Sequence, residues 1–141
     1  MIAVFFTTCK KDLLKDDLAD LNGKFEWQYN QYTELVGLHY ESKTRYPSSD
    51  GFTASLEFGD KNKITFFIDG KELVKKSFKI KEKETVDSKL RLVIKVDVSK
   101  KTLDIDDELE LLYWDDTLIV NRFPHRGYSG TAYGQNFFVK Q

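Results

Sequence analysis

The sequence predicts an all-β domain: an up-and-down antiparallel meander of about eight strands, closed into a barrel and preceded by a short helix. Three observations point there. From Lys24 onward apolar residues recur with a period of two, the mark of strands with one buried face. The intervals between those runs are short and rich in turn residues, which forces antiparallel neighbours, because a parallel crossover needs a dozen or more residues. A single sheet of that size exposes two edges, and closure into a barrel removes them. A two-layer sandwich is the rival, but it needs longer crossovers than this chain provides.

The chain has 141 residues, 40% of them hydrophobic, which suits one domain that buries about two-thirds of its surface on folding. A net charge of −1 argues against a nucleic-acid partner, which selects for a basic face. No apolar run approaches the roughly 18 residues of a membrane-spanning helix. A single cysteine excludes an internal disulfide and any multi-cysteine zinc site.

At the N-terminus, Met1-Ile2-Ala3-Val4-Phe5-Phe6-Thr7-Thr8-Cys9 is apolar and ends at the only cysteine, with charged Lys10-Lys11-Asp12 directly after it. That order resembles the tail of a bacterial lipoprotein signal peptide, in which the cysteine is lipidated. Residues 1–9 are therefore expected to be a truncated signal segment and 10–141 the folded domain. The alternative is a short buried strand with Cys9 as a small core side chain. Leu14, Leu18 and Leu21 then repeat at helical spacing, with Asp12 as N-cap and Asn22-Gly23 as stop signal.

The strands follow in order. Phe25, Trp27 and Tyr29 alternate with polar residues, as do Phe52, Ala54, Leu56 and Phe58. Ile64, Phe66 and Ile68 share a face, and Phe78 and Ile80 alternate with lysines. Leu92, Ile94, Val96 and Val98 form the next run, then Leu109 and Leu111, then Leu118 and Val120 before Asn121-Arg122-Phe123. Phe137-Phe138-Val139 adds a possible last strand after a Gly- and Tyr-rich loop over 126–134. Asp69-Gly70 favours a type I′ hairpin, Gly59-Asp60-Lys61-Asn62 is a turn, and Asp115-Asp116 closes a third hairpin. The interval 39–51 is the least regular.

Several residues invite chemistry. The chain carries 11 Phe, 7 Tyr and 2 Trp, and inward rings such as Trp27, Phe58, Phe66 and Tyr113 are the candidates to line a lumen pocket, unless they simply fill the core. His39 and His125 stand far apart in sequence and read as isolated loop histidines. No catalytic triad pattern, nucleophile elbow, zinc-binding helix, P-loop or calcium loop is present, so no enzyme activity, metal or cofactor is expected. The acidic turns near Asp107 and Asp115 read as solvated. Lys75, Lys76, Lys79, Lys81 and Lys83 read as a basic strand that deters edge pairing, with contact to anionic lipid as the alternative.

Taken in order, several segments resemble the lipocalin-like (calycin) lipoproteins of the Bacteroidetes type. They are Leu21-Asn22-Gly23-Lys24-Phe25-Glu26-Trp27, the run 47–58, Phe67-Ile68-Asp69-Gly70-Lys71-Glu72-Leu73-Val74, Leu109-Glu110-Leu111, and 118–123. In lipocalins, Gly-x-Trp on the first strand packs under an Arg on the last. Gly23, Phe25 and Arg122 occupy those places here, with Phe25 in place of Trp and Trp27 as a substitute ring. The resemblance implies a barrel closed by these residues, acting as a non-catalytic binding protein for a small apolar or amphipathic molecule. Its setting would be the bacterial outer membrane or periplasm, anchored through lipid on Cys9. The alternatives are a filled barrel serving a structural or protein-interaction role, and a soluble cytoplasmic location.

Overall fold

The computed structural model describes residues 18–59, 61–99, 102–103, 107–125 and 133–141. Cys9 and residues 12–17 of the expected helix lie outside them. In the described part of that segment the chain makes one turn of 3-10 helix, Ala19–Leu21, and Gly23 then swings it into the barrel with φ +132°. A side chain at Gly23 would be strained by the backbone and would require Lys140 to shift. The backbone angle suits glycine, and a Cβ would sit 3.2 Å from Lys140 Cε.

Nine strands form one antiparallel sheet. They are β1 (Gly23–Val36), β2 (His39–Arg45), β3 (Ala54–Gly59), β4 (Lys63–Ile68), β5 (Lys71–Val86), β6 (Lys89–Val96), β7 (Glu108–Trp114), β8 (Thr117–Val120) and β9 (Tyr133–Lys140), with a four-residue helix α1 (Pro47–Asp50) between β2 and β3. Strands β3 to β9 follow one another round the sheet, and β1 pairs with both β3 and β9. Eight strands thus close a barrel, and β2 stands outside it on β1.

The turns obey their sequences. Asp69-Gly70 has φ 51° and 76°, Asp87-Ser88 has 51° and 64°, and Asp115-Asp116 has 46° and 59°. All three are the doubly positive turns whose twist matches a hairpin. At the β1–β2 turn only Gly37 of the two central residues is positive, at 64°, the type II′ pattern.

Closure occurs one strand later than the resemblance implies. β1 zips onto β9, from Phe25↔Lys140 to Thr33↔Tyr133, so the segment ending at Arg122 lies one strand short of the seam. The cation over Phe25 is Lys140, whose Nζ is 5.9 Å from the ring centroid and donates to the Asp20 carbonyl at 2.6 Å. Arg122 instead lines a groove on the outer face with Lys81, Arg91, Glu108 and Glu110.

The seam also contains a bulge that the alternation hides. Trp27 pairs with Phe138 and Tyr29 with Phe137, leaving Gln28 as the extra residue. Parity therefore flips after Trp27: Trp27 points inward, Tyr29 outward, and Asn30 inward with 1% exposure. Outside the barrel, Tyr29 stacks on Phe137 with centroids 4.5 Å apart.

Inside, the side chains form one continuous cluster. Phe25, Leu56, Ile64, Phe66, Ile94, Leu109, Leu118, Val120 and Phe138 are each fully buried. Leu18 and Leu21 join this cluster from the N-terminal segment, and Phe123 joins it from the loop after β8. Burial of these apolar surfaces, each side chain worth about 1.5–3 kcal/mol, is what holds the barrel together.

Candidate functional site

The four rings expected to line a lumen are packed against their neighbours. Phe58 meets Phe25 edge-on at 6.1 Å and Phe78 at 5.9 Å. Phe66 meets Phe123 at 5.0 Å, and Trp27 stacks on Phe52 at 5.4 Å. Tyr113 stands edge-on to Phe25 at 5.9 Å, and its hydroxyl donates to Asp116 Oδ1 at 3.2 Å. Burial, helped by that hydrogen bond, raises the Tyr113 phenol above its ordinary pKa. T-shaped and stacked contacts of this kind are the favoured arrangements of buried aromatic pairs.

Concave space arises instead where β5 changes partner. Its first half pairs with β4 as far as Lys63↔Ser77, and its second half pairs with β6 from Phe78↔Val96. Among the described residues, each half of β5 therefore pairs in a ladder along one edge only. A cleft of about 840 Å³ lies at this switch, lined by Lys61, Asn62, Ser77, Phe78, Lys79, Ile80, Lys95, Asp97 and Asp107. Phe78 and Ile80 belong to the core or pack against it, so the cleft borders the apolar interior.

Its polar residues are arranged unusually. Lys79 and Lys95 are direct cross-strand partners, both exposed. Two like charges in that position repel, while Lys95 also faces Glu108 across the β6–β7 ladder and Asp97 and Asp107 stand in the same lining, which leaves Lys79 and Lys61 as the other cations of the cleft. Next to them Lys81 pairs with Glu108, which holds the Glu108 carboxyl below its ordinary pKa and the Lys81 ammonium above its own. Arg91 spans Glu82, Glu84 and Glu110, each at 3.2 Å, and fastens β5, β6 and β7 on the outer face.

Where the loop after β8 meets β9 and β1 there is a polar node that sequence reasoning missed. Asn136 is fully buried and uses every group it has. Its Nδ2 donates to the carbonyls of Val120 (2.9 Å) and His125 (2.8 Å), and its Oδ1 accepts from Asn30 Nδ2 (3.0 Å) and the His125 amide (3.3 Å). His125 is not isolated. Its Nε2 meets Asp50 Oδ2 at 2.5 Å, and its Nδ1 faces Arg45 Nη1 at 3.3 Å. Because an arginine can only donate, Nδ1 is the acceptor and Nε2 carries the proton given to Asp50. Both ring nitrogens are thereby engaged, and the dyad latches α1 onto the loop after β8. Inward parity with Phe138 is the signal that marks Asn136 in the sequence; nothing local marks Asp50, 75 residues from His125. His39, in contrast, is exposed, and its Nε2 lies 3.1 Å from Oε1 of its neighbour Glu41.

Among the described residues no group of three His, Cys, Asp or Glu side chains is arranged to hold a metal, and no helix is long and apolar enough to cross a membrane. No protein-family model, curated protein or solved structure matches this chain.

Proposed function

We propose that the protein is a non-catalytic, lipocalin-like binding protein of the bacterial cell envelope. Its ligand is an amphipathic molecule with an apolar body and an anionic head. The reading rests on the eight-stranded barrel, on the ordered resemblance to lipocalin-like lipoproteins, and above all on one observation. The cleft of about 840 Å³ joins an apolar border, Phe78 and Ile80, to the opposed cations Lys79 and Lys95. Small-molecule sites combine apolar walls with a few polar groups that fix orientation, in volumes of roughly 300–1,000 Å³. The ligand site is thus moved from the lumen rings, which are occupied with one another, to the switch in β5. Lipid on Cys9 would hold the domain at the membrane.

A second reading is a filled barrel that serves protein interaction, and the mutual packing of Phe25, Phe58, Phe66 and Phe138 favours it. Titration of isotope-labelled protein with dodecanoate separates the two. The first reading expects amide shifts at 77–80 and 95–97, lost in Lys79→Glu and Lys95→Glu. No shift at any ratio refutes it, and shifts centred on Trp27, Phe58 and Phe66 return the ligand to the lumen. The anchor has its own test: palmitate label incorporated by the wild type disappears in Cys9→Ser, and label that persists there excludes lipidation at Cys9.

A further inference from the structure

We propose that two copies of this chain join edge to edge through β2, antiparallel and centred on Ser42. β2 is the margin of the sheet. It pairs only with β1, and among the described residues its other edge has no strand partner. His39 to Thr44 are all exposed. The strand lies outside the barrel because β1 pairs with β3 only as far as Glu26 and takes up β2 from Asn30 onward.

The direction of its backbone groups follows from the turn. Val36 and His39 flank a two-residue loop, so they form a hydrogen-bonded pair. Alternation along an antiparallel ladder then aims the N–H and C=O of His39, Glu41, Lys43 and Arg45 at β1. Those of Tyr40, Ser42 and Thr44 point to the open edge. Three consecutive outward positions are a ready template for another strand.

The side chains select both the partner and the register. Centred on Ser42, each Glu41 faces the partner's Lys43, and the exchange occurs twice by symmetry. Lys43, which already meets Glu34 at 2.6 Å, then lies between two carboxylates. Leu38 faces the partner's Tyr46, and Tyr40 faces the partner's Thr44. Leu38 is 103% exposed, Tyr40 59% and Tyr46 51%, so the pairing covers large apolar side chains left bare on the single chain. His39, held by Glu41, faces the partner's Arg45. The neighbouring registers are worse. Centring on residue 43 sets Lys43 against the partner's Lys43, and centring on residue 41 sets Glu41 against the partner's Glu41. Opposite charges across a strand pair attract and like charges repel, so the alignment about Ser42 is preferred.

Sedimentation velocity on the full chain, with reductant present to prevent coupling through Cys9, tests the proposal. The mass should rise with concentration toward that of a dimer. Ser42→Pro removes an outward N–H and leaves the β1 ladder intact, so it should hold the protein monomeric with an unchanged circular dichroism spectrum. Glu41→Lys should weaken the dimer by about tenfold or more, and Glu41→Lys/Lys43→Glu should restore it. The charge swap decides the matter even if Ser42→Pro disturbs the hairpin. A wild type that stays monomeric at every concentration overturns the proposal. So does a dimer indifferent to Glu41→Lys, or a double variant that does not recover.

Discussion

Phe137 and Phe138 are neighbours on β9 with opposite fates, and alanine at each position should separate them sharply. Phe138 is fully buried, pairs in register with Trp27 on one side and Leu118 on the other, and lies 6.4 Å from the Phe123 ring. Truncating such a ring costs the lost transfer energy plus a cavity, about 3–5 kcal/mol. Phe137 faces outward and stacks on Tyr29. Its loss removes one aromatic pair and a partly exposed surface, about 1–1.5 kcal/mol. Urea unfolding followed by tryptophan fluorescence measures both. With a slope of about 2 kcal/mol/M, the midpoint should fall by roughly 2 M for Phe138→Ala and by well under 1 M for Phe137→Ala. A one-residue slip of β9 would exchange the two side chains between lumen and solvent. Equal losses, or a larger loss at Phe137, would therefore refute the register of the seam.

Three further expectations follow from the same geometry. Asn136→Ala leaves the carbonyls of Val120 and His125 and the donor of Asn30 short of a partner, and urea unfolding should show a loss of about 3 kcal/mol; a loss below 1 kcal/mol would mean the node is not closed as described. Glu108 has a lowered carboxyl pKa in the folded state, so its stabilising effect is present above the ordinary carboxylate value and vanishes as pH falls through the lowered one. The gap in urea midpoint between wild type and Glu108→Gln should accordingly be constant near neutrality and close in acid, whereas a gap that persists into strong acid contradicts the Lys81 pairing. Tyr113 has a raised phenol pKa, so the ultraviolet titration of wild type minus Tyr113→Phe should reveal one phenol ionising above the ordinary tyrosine value. A difference curve centred on the ordinary value would show that this hydroxyl is solvated.

The barrel was legible because its strands carry one dry and one wet face, and alternation reports that difference directly. Phe58, Phe66, Leu92, Ile94 and Leu118 all point inward as their spacing predicts. β2 gave no such signal: His39-Tyr40-Glu41-Ser42-Lys43-Thr44-Arg45 lies off the barrel, has no buried face, and so carries no apolar period. The bulge at Gln28 was hidden for a different reason. A bulge shifts parity without changing composition, so Tyr29 reads as inward with Trp27 although it faces out. The closing strand carries a weak signal because Asn136, one of its inward positions, is polar. The cleft depends on where β5 exchanges β4 for β6, a property of strand offset that no local pattern in Lys71–Val86 encodes. The Asp50–His125 latch likewise exists only once closure has brought distant segments together.

Aromatic nuclear Overhauser contacts in ligand-free protein test the full lumen most directly. Cross-peaks linking Phe25 to Phe58, Phe66 to Phe123 and Phe123 to Phe138 are expected, together with protection of these rings from a soluble paramagnetic agent. Rings that show no mutual contacts and broaden in the presence of that agent would mean an open, wetted interior, and would contradict a barrel packed by its own side chains.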